Sequence, residues 1–237
     1  MIRRTDFYYF LTLGILAVTL FGFPKVPHRH HIVPTTTTKE QRASHMITFL
    51  DEDGDRKGVC TGTSTGPHSL LTAEHCNAEG DSTQITIDRS TEKHKLLAAA
   101  GDGRDHVIYL LDGAAFTNYE VVKQVKPVLG ETVTMYGDGE SLYPPVPRYG
   151  KVFSCEDPSD LDESAGQECS TLQVIPGDSG SAVYNVRGEI VGTVTYQGRD
   201  EDGKVSEIGF ALNFEQDKLD VARTFDGTPE DLPTRKK

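Results

Sequence analysis

The chain has no tryptophan, and only three methionines and four cysteines occur among its 237 residues. None of the cysteines forms a C-x-x-C pair: Cys60 and Cys76 stand sixteen apart, and Cys155 and Cys169 fourteen apart. That spacing excludes the common zinc and thiol-redox motifs. Basic residues are scarce as well. With 24 Lys and Arg against 36 Asp and Glu, the net charge of -12 repels phosphates and excludes nonspecific nucleic-acid binding. Sustained helical periodicity is missing from almost the whole length, which excludes a helical bundle.

What is present begins with an apolar run from Phe7 to Phe23, preceded by Arg3 and Arg4. Its 17 residues sit at the short end of a bilayer span, where ~20 is typical, and exceed the ~7–15-residue core of a cleaved signal. No A-x-A-like site follows, so the segment 1–23 reads as an uncleaved signal anchor in preference to a cleaved signal peptide. The two arginines stay cytoplasmic by the positive-inside rule, against a weaker opposing vote from Lys25 and Arg29. Everything beyond then faces outward, an oxidising address that suits two disulfides. Four cysteines permit three pairings.

Residues 24–43 carry three prolines and four consecutive threonines and read as an extended linker. His28, His30 and His31 lie in it without a carboxylate or cysteine companion, which points to solvated linker and not to a metal site. The folded domain is expected over 44–225 and a polar tail over 226–237. Within the domain, short runs such as MITFL, VCTGTSTG, HVIYLL, ETVTMYG and SAVYNV alternate with Gly, Pro and Asp turns, the pattern of an all-β barrel or sandwich. One short helix is expected over 215–225, with Leu219, Val221, Ala222 and Phe225 mostly on one side. Asp51, Asp53 and Asp55 mimic the start of a calcium loop, but Arg56 and Gly62 occupy the positions that need glycine and a bidentate acid. A hairpin turn fits that stretch better.

The stretch GDSGSAV at 177–183 has two readings. It is an ordinary small-residue turn, or it holds Ser179 as a nucleophile with open space above its Oγ and backbone N–H groups beside it. A serine nucleophile needs a histidine base oriented by a carboxylate. His75 ends the run SLLTAEHC next to Cys76. Asp105 directly abuts the apolar run 107–111, and Asp102 in the preceding Gly-flanked turn is the alternative carboxylate.

TAEHC resembles the TAAHC of chymotrypsin-like (trypsin-fold) serine proteases, RDHVIYLL their aspartate followed by an apolar strand, and GDSGSAV their GDSGG-P-V nucleophile loop. The order His, Asp, Ser is theirs too. Over residues 46–214 the resemblance implies two six-stranded antiparallel β-barrels with His75 and Asp105 on the first and Ser179 on the second. It implies that Ser179 attacks the scissile carbonyl, His75 moves the proton, Asp105 orients the imidazole, and the N–H groups of Gly177 and Ser179 form the oxyanion hole. It also implies disulfides Cys60–Cys76 and Cys155–Cys169, no cofactor, no metal, and a protein or peptide substrate. The resemblance places Gln173 at the base of the primary pocket, Val194, Thr195 and Tyr196 on the strand that receives substrate backbone, and Gly209 on the pocket wall. With Gln173 in place of a carboxylate, the expected cleavage residue is uncharged and small to medium.

The Ile-Val-Gly-Gly-type segment that secreted members free to pair with the acid before the nucleophile, here Asp178, does not precede MITFLDEDG. The site is therefore expected to form without cleavage, as in the bacterial and viral branches. Two other readings compete with a membrane-anchored extracytoplasmic endopeptidase: a catalytically silent binding module of the same fold, and a viral polyprotein-processing protease.

Overall fold

A computed structural model describes residues 37–77, 80–123, 125–139, 144–154, 168–195, 198–199, 205–207 and 212–228. The expected anchor and most of the expected linker lie outside them. Among the described residues, no helix is long and apolar enough to cross a membrane.

Strands β1 (Ser44–Leu50), β2 (Arg56–Gly66), β3 (Ser69–Ala73), β4 (Gln84–Ile87), β5 (His94–Gly101) and β6 (His106–Leu111) close into an antiparallel barrel in the order β1-β2-β3-β6-β5-β4. The barrel follows from period-2 alternation. Ile47, Phe49, Leu70, Ile85, Val107, Tyr109 and Leu111 point into one core, each large apolar side chain contributing ~1.5–3 kcal/mol on burial. Leu71 and Ile108 have the opposite parity and face the second half of the molecule. Strand β6 is buried along its whole length for that reason, and so its sequence reads as a continuous apolar run.

The second half corrects the expectation of two six-stranded barrels. Strands β7 (Thr132–Gly137), β8 (Val146–Ser154), β9 (Glu168–Ser170), β10 (Ala182–Tyr184) and β11 (Ile190–Thr193) form a five-stranded sheet in the order β11-β10-β7-β8-β9. Strands β12 (Gly198–Arg199) and β13 (Val205–Glu207) make a separate two-stranded ribbon. Among the described residues this half is an open sheet, not a closed barrel. Its inner face buries Val133, Met135, Val152, Leu172, Val183 and Val191.

A layer of Leu71, Ile108, Tyr136, Ala182, Tyr184, Ile190 and Phe214 joins the barrel and the second sheet. Leu219 and Ala222 of the C-terminal helix α2 (Gln216–Thr224) complete it, as their spacing predicts. The other helix is unexpected. Helix α1 (Lys39–Ala43) lies in the stretch read as linker, is capped by the Thr38 hydroxyl, and buries Gln41 and Ala43. The Gln41 side-chain amide donates to the Pro145 carbonyl at 2.7 Å, and the compact unit starts at Thr37.

Candidate active site

Strand β3 ends at Ala73 and a single 3-10 turn, Glu74–Asn77, follows. The turn throws the His75 side chain outward, 41% exposed, while Cys76 turns back into the core and is disulfide-bonded to Cys60 of β2. Register pairs Ala73 with His106, which sets Asp105 beside the turn. The Asp105 carbonyl accepts the Glu74 N–H at 2.9 Å. Its carboxylate grips His75 at two points, accepting the backbone N–H at 2.7 Å and the Nδ1–H at 2.6 Å. A proton on Nδ1 leaves Nε2 as the base nitrogen. Asp105 adopts φ +64°, a left-handed conformation that aspartate tolerates better than most residues.

Asp102 stands apart from this pair. Its carboxylate is fully buried against His106, with Oδ2 2.8 Å from Nδ1 of that ring. Burial alone pushes the Asp102 carboxyl up, but the hydrogen bond and charge of His106, with the N–H groups of Asn213 and Arg104, outweigh it and hold the group below the ordinary aspartate value. Of the two carboxylates open in the sequence, Asp105 is the one that meets His75.

The loop carrying Ser179 leaves the second sheet and presses on the barrel. Thr61 of β2 is the contact: its N–H donates to the Ser179 carbonyl at 2.9 Å and its hydroxyl to the Gly177 carbonyl at 2.8 Å. The approach is close enough to dictate glycine at 180. A Cβ there would stand 2.1 Å from Thr72 Oγ1 and 2.4 Å from the Thr61 carbonyl oxygen, and φ is +82°. The Gly180 N–H donates to the Val194 carbonyl at 2.7 Å, and the Val194 N–H to the Ser181 carbonyl at 2.9 Å. Ser179 itself is half-buried, and its carbonyl oxygen lies 4.0 Å from Cys76 Sγ, next to His75 in sequence. No hydrogen bond joins Ser179 Oγ to the His75 ring among the described residues; such contacts are often long before substrate binds.

Beneath the loop, buried Asp178 accepts the N–H groups of Ile175 at 2.7 Å and Gly139 at 2.9 Å and pairs with the Arg148 guanidinium. Gly137 and Gly139 leave room for it, since a Cβ at either would meet the Asp178 carboxylate within 2.6 Å. Gly177 has φ +97°, which glycine alone adopts freely.

Other expected positions are met unevenly. Gln173 is exposed, and its carbonyl lies 3.4 Å from Arg148 Nη1. Val194 and Thr195 are buried, and both backbone groups of Val194 are taken by the Ser179 loop. Tyr196, Gly209 and Cys155 lie outside the described residues; buried Cys169 is disulfide-bonded. Among the described residues, no group of three or more His, Cys, Asp or Glu side chains could hold a metal ion. Sequence reasoning missed Thr61 and Arg148, because an isolated threonine or arginine on a strand carries no motif.

A family model described as a trypsin-like peptidase domain matches residues 60–192. A search of curated proteins found no match. Among solved structures, the chain is similar to the Mycobacterium tuberculosis H37Rv protease Rv3671c in an inactive form, with 17% identity and a TM-score of 0.53 over 73% of this chain and 84% of that one. An inactive serine-to-alanine mutant of the same protein gives the same identity and TM-score. It is also similar to a serine endoprotease from Yersinia pestis, with 18% identity and a TM-score of 0.54 over 78% of this chain and 67% of that one.

Proposed function

Because the chain belongs to the trypsin-like peptidase family, we propose that it is a serine endopeptidase in which Ser179, His75 and Asp105 are the groups that carry the reaction. Ser179 Oγ attacks the scissile carbonyl as His75 Nε2 takes its proton. The same nitrogen then protonates the leaving amine, and water repeats the sequence to release the acyl group. Asp105 keeps the proton on Nδ1 and stabilises the imidazolium. The N–H groups of Gly177 and Ser179 receive the oxyanion, a contribution of ~3–4 kcal/mol per donor in comparable sites.

The observation that carries this reading is the two-point grip of Asp105 on His75, next to a Ser179 loop bound to the same barrel through Thr61. The apolar segment 7–23 supports a membrane-anchored enzyme whose peptidase domain faces out of the cytoplasm, and the Cys60–Cys76 disulfide agrees with an oxidising compartment.

A fluorophosphonate probe tests the nucleophile. The wild-type protein is expected to label covalently and Ser179→Ala to remain unlabelled at an unchanged melting temperature. Equal labelling of the two proteins would remove Ser179 from the mechanism and favour a silent binding module.

A further inference from the structure

We propose that Asp102 is a positioning residue through which the C-terminal segment holds the loop that presents Asp105 to His75. The proposal rests on the assignment of Asp105 as the carboxylate partner of His75 and asks what fixes that carboxylate in place.

The loop from Gly101 to His106 is short, contains Gly103 at φ +76° and carries Asp105 at φ +64°. Gly103 adopts its positive φ freely, but Asp105 does not, and that conformation is costly for the loop to hold by itself. Asp102 supplies the restraint from inside. Its Oδ1 accepts the N–H groups of Arg104 at 2.8 Å and His106 at 3.3 Å, which bracket Asp105 on both sides. Its Oδ2 bonds His106 Nδ1 at 2.8 Å and accepts the Asn213 N–H at 2.7 Å. Four donors on one carboxylate suit the ionised form, which only accepts.

Asn213 is 111 residues away in sequence and directly precedes Phe214, whose ring lies 6.5 Å from that of His106. Four residues on, Lys218 of helix α2 donates from Nζ to the Gly101 carbonyl at 3.0 Å. The C-terminal segment thus holds the start of the loop at Gly101 and, through Asp102, the residues that flank Asp105. Asp102 reaches no reacting atom. It acts on the chemistry only through the orientation of Asp105.

The Asp102→Asn variant keeps the size of the side chain but puts an amide where one oxygen accepts two donors, so the Asp105 turn should loosen. The readouts are kcat and KM per site titrated with fluorophosphonate, and the downfield proton resonance of the His75 Nδ1–H···Asp105 hydrogen bond. Asp102→Asn is expected to lower kcat by about 10–100-fold, the range seen when a group one step removed from a metal-ligating histidine is lost and below the ~10⁴-fold loss for a triad carboxylate itself, to leave KM within about twofold, and to weaken or shift the downfield resonance.

Lys218→Met, a change on the partly exposed face of the helix, is expected to act in the same direction with smaller size. It carries the test alone if Asp102→Asn does not fold. An unchanged resonance and kcat per titrated site in the folded variants would overturn the proposal and leave the Asp102–His106 pair a packing feature. Asp105→Asn run in parallel separates this from a failure of the underlying assignment: if that variant retains wild-type kcat, Asp105 is not the carboxylate of the triad at all.

Discussion

Arg148 and Asp178 form a buried ion pair directly beneath the turn that carries Ser179, with the two side chains 14% and 1% exposed. Arg148 sits on β8 opposite Met135 of β7, so the strand pairing of the second sheet delivers the cation. In the secreted relatives that the sequence resembles, the equivalent acid waits for an N-terminus freed by cleavage. Here an internal guanidinium meets it in the uncleaved chain.

Removing that cation leaves a buried carboxylate with two backbone donors and, among the described residues, no ion-pair partner. Loss of one partner of a buried pair costs about 3–5 kcal/mol. Arg148→Met should therefore lower the melting temperature and slow fluorophosphonate labelling of Ser179, because Asp178 sets the backbone from Gly177 to Ser179. Arg148→Lys should recover part of both, limited by the geometry of a single ammonium. Full labelling of Arg148→Met at the wild-type rate would show that Asp178 holds the loop without help.

The N-terminal boundary of the working domain is open to direct test. A chain beginning at Ser44 loses helix α1 and five long-range contacts: Thr38 Oγ1 to the Tyr136 hydroxyl at 3.1 Å, Lys39 to Glu120 at 2.8 Å, the Gln41 amide to the Pro145 carbonyl at 2.7 Å, Arg42 to Asn118 at 3.2 Å, and the Ser64 hydroxyl to the Ala43 carbonyl at 3.2 Å. Glu120 is buried and would lose the cation that offsets its burial. Each buried hydrogen bond contributes ~1 kcal/mol and an orphaned buried group costs more. The protein beginning at Ser44 should unfold at lower temperature than one beginning at Thr37, and the latter should be active without processing. Identical melting curves would return residues 37–43 to the linker.

The sequence carries these features to different degrees, and locality explains the difference. His75 and Asp105 were legible because one stands just after an apolar strand run and the other just before one, and antiparallel neighbours bring such ends together. The Ser179 turn was legible because close approach and positive φ force glycine at 177 and 180. Arg148 was not, since its meeting with Asp178 depends on the β7–β8 register. Asp102 reads as part of a Gly-flanked turn. Its carboxylate takes the Asn213 N–H, and its partner His106 lies against Phe214, contacts that no reading of residues 101–111 alone includes. Helix α1 was hidden in the Pro- and Thr-rich composition of its surroundings, although the capping threonine at 38 was in plain view.

Asp138 gives the molecule a pH dependence whose sign can be worked out. It is fully buried between Gly137 and Gly139, and among the described residues neither carboxylate oxygen has a hydrogen-bond partner. Burial pushes its carboxyl up to about 7, helped by the negative charge of Asp88 and only partly offset by Arg89 and Arg148. The folded value lies above the unfolded 3.8, so across the interval the folded state binds more protons than the unfolded one. The associated stability is complete below the unfolded value and is lost as pH rises through the folded one. A shift of this size corresponds to about 4 kcal/mol. Asp88 lies against His45 Nδ1 at 2.8 Å and accepts the Met46 N–H at 3.1 Å. Asp138→Asn removes the titration and keeps the shape. Its melting temperature should exceed that of the wild type at pH 8, with the gap narrowing steadily towards pH 4. A gap that is constant with pH, or that widens on acidification, would mean that Asp138 is ionised and compensated in the folded protein across the whole range.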